Sequence, residues 1–195
     1  MPARAPDPQR RSERARVAVL EAALALCREK GFAALTIEAI AERAEVSKKT
    51  IYRWWPSKGA VLLDAVSLLA GRVADFPDTG DLEDDLTAQI SVIVDLLTPP
   101  DSSPVAALVT EGQRDATLGA QIRDDVVQPT IVNFDARMRS AQAAGQIPSD
   151  VDLDVAVDLF YGPVYHRLAL RLGMPDQAQI RARVRHVIAG LNALG

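Results

Sequence analysis

The chain has 195 residues, 48% of them hydrophobic and 5% aromatic, with a formal net charge of -4; this is enough apolar material for a buried core and excludes a disordered chain. A single cysteine, Cys27, excludes an intrachain disulfide framework and a cysteine-based zinc site, and with no signal-peptide h-region it points to the cytoplasm. Every apolar stretch is broken by charge before the ~18 residues of a membrane helix, so no membrane partner is expected.

The charge is unevenly placed. Residues 1–60 hold 12 Lys or Arg against 7 Asp or Glu, a net of +5, whereas residues 61–195 hold 10 against 19, a net of -9. A basic segment on an acidic body suits a protein with one part that meets a polyanion.

Residues 1–11, "MPARAPDPQRR", mix proline and arginine without periodicity and read as a disordered basic arm. From Arg16 onward Val17, Leu20, Leu24 and Cys27 recur at helical spacing, which predicts a first helix over 12–30 that Gly31 stops. Thr36 is placed as an N-cap before "IEAIAERA", a second helix with Ile37, Ile40, Ala41 and Ala44 on one face. Ser47 caps a third, barely two turns long, "KKTIYRW", which Pro56 ends. Ser57 opens a helix over 57–75 with Leu62, Ala65, Val66, Leu69 and Val73 inward.

Longer helices are predicted at 81–98, 103–112, 115–144, 151–172 and 176–193, with Pro129 kinking or splitting 115–144 and Gly162-Pro163 doing the same to 151–172. No strand pattern competes. The expected fold is all-α: a three-helix helix-turn-helix domain over 12–56, then a larger helical bundle over 57–195, about nine helices in total.

Two capped short helices around a tight turn are the punctuation of a helix-turn-helix, whose second helix enters the DNA major groove with its N-terminal residues at the base edges. Those residues are Ser47, Lys48, Lys49 and Thr50. Lysine can donate to guanine O6 and N7, and a threonine methyl can meet a thymine methyl. Tyr52, Arg53, Trp54 and Lys58 lie farther along and suit phosphates, as do the Thr36 hydroxyl and the amides that follow it.

The stretch "GFAALTIEAIAERAEVSKKTIYRWWPSKGAVLLDAV" strongly resembles the DNA-binding domain of the TetR family of transcriptional regulators, over about Arg11 to Val66. The resemblance rests on Gly31-Phe32, Thr36, Ile40-Ala41, Val46-Ser47, Thr50, Ile51-Tyr52 and Pro56-Ser57-Lys58. It implies that Thr36, Tyr52 and Lys58 hold phosphates and that Lys48, Lys49 and Thr50 face bases. It also implies a homodimer on a palindromic double-stranded operator, with Trp55 as the core aromatic. Adjacent residues turn by about 100° in a helix, which puts the Trp54 ring on another face, at the DNA backbone. Glu45 and Lys49 depart from the family, which often has glycine at both positions.

The segment "AAGQIPSDVDLDVAVDLFYGPVYHRLAL" is similar to the C-terminal effector-binding and dimerisation domain of one TetR subgroup. The resemblance implies that the last two helices form the dimer interface, through Phe160, Val164 and Leu168 and then Val184, Val187 and Leu191. It implies an unidentified small-molecule effector among the other helices, for which Gln89, Arg114, Asn133, Tyr161, Tyr165 and His166 are candidate polar liners. Phe134 and Met138 read as core, and Cys27 as a buried structural thiol.

No cofactor and no metal site is expected, because neither His166 nor His186 has a chelating neighbour at helical spacing. An all-α enzyme would need a nucleophile constellation, a Glu-x-x-His pair or a phosphate-cradling loop, and none is found. A non-specific architectural DNA binder would be basic throughout, whereas this body is acidic.

Overall fold

The computed structural model describes residues 8–73 and 76–194, with side chains described over 12–68 and 76–193. Among the described residues the backbone forms helices and connecting turns only, with no strand, and no helix is long and apolar enough to cross a membrane.

Helix α1 runs Pro8–Ala34. Residues 1–7 of the expected arm lie outside the described residues, while 8–11 extend the helix instead of joining the arm. Pro8 can begin it because a first-turn residue needs no backbone donor. Gly31, with φ 74 and ψ 165, interrupts α1 where the sequence places its end. A Cβ there would also sit 3.1 Å from the Asp101 carbonyl oxygen, so this position answers to a close approach as well as to a backbone conformation.

Helix α2 is Ile37–Arg43, capped by the Thr36 hydroxyl, which accepts from the Ala39 amide at 3.1 Å. Helix α3 is Lys48–Tyr52, capped by Ser47 accepting from Thr50 at 3.1 Å. Helix α4, Lys58–Val73, starts where Ser57 accepts from Ala60 at 3.2 Å. Leu62, Ala65 and Val66 point inward as the spacing requires; the side chains of Leu69 and Val73 lie outside the described residues.

Val19, Leu20, Ala23 and Leu26 of α1 bury against Ile40, Ile51, Trp55 and Val61 to make the N-terminal core. Two polar ties fix its helices. Arg43 grips Glu29 with two bonds of 2.8 Å, and Arg16 donates to both Asp64 oxygens at 2.9 Å while the Trp55 indole N–H donates to the same carboxylate at 3.0 Å. A separate apolar cluster of Cys27, Leu62, Leu63, Val66, Leu108, Leu118 and Ile122 joins this unit to the rest of the chain. Cys27 is buried there as a free thiol, and desolvation pushes its pKa up.

The larger half comprises α5 (Leu82–Leu96), α6 (Pro104–Gly112), α7 (Ala116–Ile122), a π-helical turn (Arg123–Val127), α8 (Gln128–Ala143), α9 (Leu153–Ala169) and α10 (Gln177–Leu194). The split expected near Pro129 is the π turn, in which the Gln128 amide donates five residues back to the Arg123 carbonyl. Proline at 129 cannot donate to Asp125 and its ring crowds that carbonyl, and a widened turn relieves both demands. Gly162-Pro163 does not split α9, which continues past it. Leu159, whose carbonyl loses the proline donor, lies on an exposed side where water can replace it.

Phe134 is fully buried and touches Phe76, Phe160 and Tyr161 at centroid distances of 6.4, 5.9 and 5.6 Å, with Met138 buried beside it. The expected dimer stripe is corrected by this core. Phe160, Val164, Val184 and Leu191 are buried inside one chain and Leu168 and Val187 pack against the same cluster, so their periodicity records intramolecular packing. On the outward side of these helices stand Val155, Leu159 and Tyr165 of α9 and the small residues Ala182, Ala189, Gly190 and Ala193 of α10.

One ionic pair is sealed into this half. Arg137, 3% exposed, donates from Nε to Asp85, 1% exposed, at 2.7 Å, and the Thr79 hydroxyl and amide donate to the same carboxylate at 2.8 and 3.1 Å. This anchors the connection before α5 to α8. Removing Asp85 leaves the buried Arg137 with only the longer contacts to Asp78 at 3.5 Å and Gln146 at 3.3 Å, so Asp85→Ala is expected to cost ~3 kcal/mol in urea unfolding of the purified protein; a loss below ~1 kcal/mol is the size expected of a surface pair and would remove the pair from the core's supports.

Candidate nucleic-acid interface and buried cavity

The connection between α2 and α3 is a Schellman turn: the Val46 amide donates to Ala41 at 3.0 Å and the Glu45 amide to Glu42 at 3.3 Å. Glu45 occupies its left-handed position with φ 53, where glycine would carry no Cβ penalty. The turn therefore has ordinary geometry despite the unusual residue.

Beyond it, Ser47, Lys48, Lys49, Tyr52 and Arg53 are exposed and Thr50 is half-buried. The Ser47 and Thr50 hydroxyls are 2.9 Å apart, so one turn of α3 is stapled at its start. Lys48 donates to Glu38 on α2 at 3.0 Å; that hydrogen bond holds the Glu38 carboxyl below and the Lys48 ammonium above their usual ranges. Both side chains are exposed, and such a pair contributes little and yields readily to a phosphate or base. Lys49 has no hydrogen-bond or ion-pair partner among the described residues and projects into solvent.

Two expected DNA contacts are placed otherwise. Lys58 donates to the carbonyls of Phe32 and Leu35, each at 2.9 Å, and lies 4.3 Å over the Phe32 ring. It thus closes the C-terminal end of α1, where a cation meets unpaired carbonyls, rather than projecting towards phosphate. Trp54 is half-buried, edge-on to Trp55 at 5.3 Å, with the Arg53 guanidinium 4.7 Å over its ring. The rings were expected on separate faces because residues turn by about 100° in a helix. Helix α3 ends at Tyr52, however, and both tryptophan amides converge on the Ile51 carbonyl, which lets the rings touch.

Trp54 instead borders a groove shared with Ser12 and Arg14 of α1 and with Ser47, Thr50 and Arg53. Ser12 and Arg14 fall within the first helix expected over 12–30, but nothing in their spacing marks them as neighbours of α3. Their nearness to α3 is a product of packing; only the local excess of arginine hinted at it.

The larger half holds a cavity of about 220 Å³ between α4, α5, α6, the π turn, α8 and α9. Gln89, Tyr161 and Tyr165, three of the expected liners, meet there with Val66, Ile93, Val126, Thr130 and Asp158. The other three do not. Arg114 is a surface residue paired with Glu111 at 3.2 Å, His166 faces a separate groove beside α6, and Asn133 lies on α8 away from the lining. Tyr161 is 8% exposed and its hydroxyl has no partner among the described residues, while burial pushes its phenol pKa far up. Asp158, missed by the sequence reading, is the one acid in the apolar run "VAVDLFYGPVY", and that isolation was the available signal.

Comparison with known proteins bears on the whole chain. The family model described as "Bacterial regulatory proteins, tetR family" matches residues 19–65, and "Tetracyclin repressor-like, C-terminal domain" matches 76–187. An uncharacterised HTH-type transcriptional regulator of Bacillus subtilis, YdeS, is 33% identical over 183 residues, covering 94% of this chain and 92% of the relative. The DNA-binding transcriptional repressor TetR of Mycobacteroides abscessus is 30% identical over 181 residues, 91% of this chain and 94% of the relative. The crystal structure of the TetR family transcription regulator SCO0332 superposes with a TM-score of 0.75 at 37% identity, covering 90% of this chain and 97% of that one.

Two substitutions check the geometry. Lys58→Ala is expected to lower the unfolding free energy by ~1–2 kcal/mol through lost charge-assisted bonds, read by urea denaturation without DNA; an unchanged midpoint would return Lys58 to the phosphate contacts. Glu45→Gly is expected to raise stability by ~0.5–1 kcal/mol, the relief of left-handed strain less the added freedom of the unfolded chain. A lower midpoint would mean that the Glu45 side chain supports the turn.

Proposed function

Because the chain belongs to the TetR family of helix-turn-helix transcriptional regulators, we propose that it is a cytoplasmic homodimeric repressor of a palindromic operator, released by a small-molecule effector. The observation that carries the reading is the start of α3. A stapled, capped helix end presents Lys48, Lys49 and Thr50 together, with Arg53 and Tyr52 exposed behind them. In this reading Lys48, Lys49 and Thr50 meet base edges, and Tyr52, Arg53, Arg14 and the Thr36 cap hold the backbone.

The dimer is assigned to the outward face of α9 and α10, around Val155 and Leu159, since the inward stripe is already occupied by the chain's own core. Small residues on α10 allow a second copy's helices to approach closely. Two recognition helices on such a dimer would have to lie about 34–36 Å apart to enter successive major grooves.

Release by an effector follows from the position of the cavity. Val66 lines it, and Val66 is two residues from Asp64, which holds Arg16 and Trp55. An occupant that prefers one position of α4 therefore biases the placement of α3. To empty the operator it must favour the released state by several kcal/mol, because affinity without preference shifts nothing.

Selection of random DNA by the purified protein is expected to return a palindrome with half-sites one helical turn apart. Lys49→Ala is expected to change the preferred base at one position of each half-site, a discrimination of ~1–3 kcal/mol. Recovery of no palindrome would remove the dimeric-operator reading, and equal loss on every sequence for Lys49→Ala would remove Lys49 from base reading.

A further inference from the structure

Burial grades along the cavity. Val66, Gln89 and Tyr161 are buried at its inner end, whereas Val127, Asp158, Gly162 and Tyr165 are exposed at its mouth. An apolar cavity of about 150 Å³ accommodates a benzene ring. At about 220 Å³ this one has room for a single ring with a short chain.

Its polar equipment is sparse. Gln89 is 3% exposed and lines the cavity. The Tyr161 hydroxyl is buried and has no hydrogen-bond partner among the described residues. A group of this kind is costly to leave unsatisfied, and an occupant with one donor or acceptor would satisfy it.

Charge is sparser still. Among the described lining residues Asp158 is the one acidic side chain, and the lining holds no lysine, arginine or histidine. No ion pair reaches Asp158 among the described residues. The arginine of the adjoining π turn, Arg123, lies 3.3 Å from Asp124 instead. A carboxylate entering this mouth would meet a like charge near apolar walls with no cation to receive it. An ammonium would meet Asp158, with Tyr165 beside it at the mouth.

Resting on the effector reading of the cavity, we propose that it selects by charge: it takes a small apolar organic cation, its ammonium at Asp158 and its apolar part against Val66 and Ile93, and it rejects carboxylates. Gln89 and Tyr161 serve any oxygen or nitrogen the occupant carries deeper in.

The test uses three probes of one shape, phenylbutylamine, phenylbutanol and phenylbutyrate, titrated calorimetrically into the full-length protein and then into its complex with a selected operator. The amine is expected to bind about fivefold tighter than the alcohol and the alcohol about fivefold tighter than the carboxylate, the scale of a partly exposed ion pair. Asp158→Asn is expected to bring the three affinities together. Gly162→Phe, at a position where an added Cβ meets nothing within 4 Å, is expected to close the mouth and abolish binding of all three.

A carboxylate that binds as tightly as the amine, or an order that survives Asp158→Asn, overturns charge selection while leaving the cavity an effector site. Binding that survives Gly162→Phe, or no binding by any probe, overturns the effector reading and the proposal with it.

Discussion

The carboxylate of Asp64 is the joint on which the arrangement depends. A five-residue helix such as α3 cannot persist alone, because helix nucleation costs more than so few bonds return. Its position comes from Ile51 in the core and from Trp55, whose indole is held by Asp64, and Asp64 is in turn gripped by Arg16 from α1. One side chain of α4 thus sets both the long supporting helix and the end of the short presenting one. The Arg16 guanidinium pKa is raised by that hydrogen bond, in accord with a close, charge-assisted contact.

The opposite face of α4 belongs to the other half. Leu62, Leu63 and Val66 pack with Cys27 of α1 and with Leu108, Leu118 and Ile122, so the two halves share apolar contacts through the same helix. Helices α6 and α7 reach this cluster by an unusually close crossing: a Cβ on Gly119 would lie 2.6 Å from the Gly112 carbonyl oxygen. Packed contacts of this density transmit small displacements rather than absorbing them. That makes α4 the element through which a change at the cavity can reach α3.

The π turn gives the cavity its shape on one side. Val126 and Val127 from the turn, with Thr130 and Ile131 one turn later, are lining residues, and the Thr130 hydroxyl donates to the Val126 carbonyl at 3.1 Å. Pro129 is the local reason that an α-helical turn fails there. A backbone rule readable in one residue thereby becomes a tertiary feature, a widened wall facing Tyr161 and Gln89.

Much of the fold was legible in local rules. The N-caps at Thr36, Ser47 and Ser57, the interruption at Gly31 and the break before Pro129 each depend on residues within a few positions of one another, and the structure has them in place; Trp55 is inward, as the family resemblance implied. Helical periodicity also marked correctly that Phe160, Val164 and Val184 are buried. It could not say against what, since an apolar stripe looks the same facing its own core or a second chain. Lys58 and Trp54 stand otherwise in the DNA-free chain than their chemistry alone suggests, because a carbonyl pair 23 and 26 residues away and a neighbouring ring engage them in space.

The amino-acid sequence by itself determined the helices, their caps and breaks, the helix-turn-helix and the family, because each is encoded by short spacings and by backbone limits of glycine and proline. Only the tertiary structure decided that Asp64 joins three elements, that Gln89, Tyr161 and Asp158 share one cavity, and that Val155 and Leu159 of α9 stand exposed while Phe160 and Val164 are buried. Those facts depend on which residues distant in sequence come within a few ångströms of each other, and that is set by the packing of whole helices rather than by any local pattern.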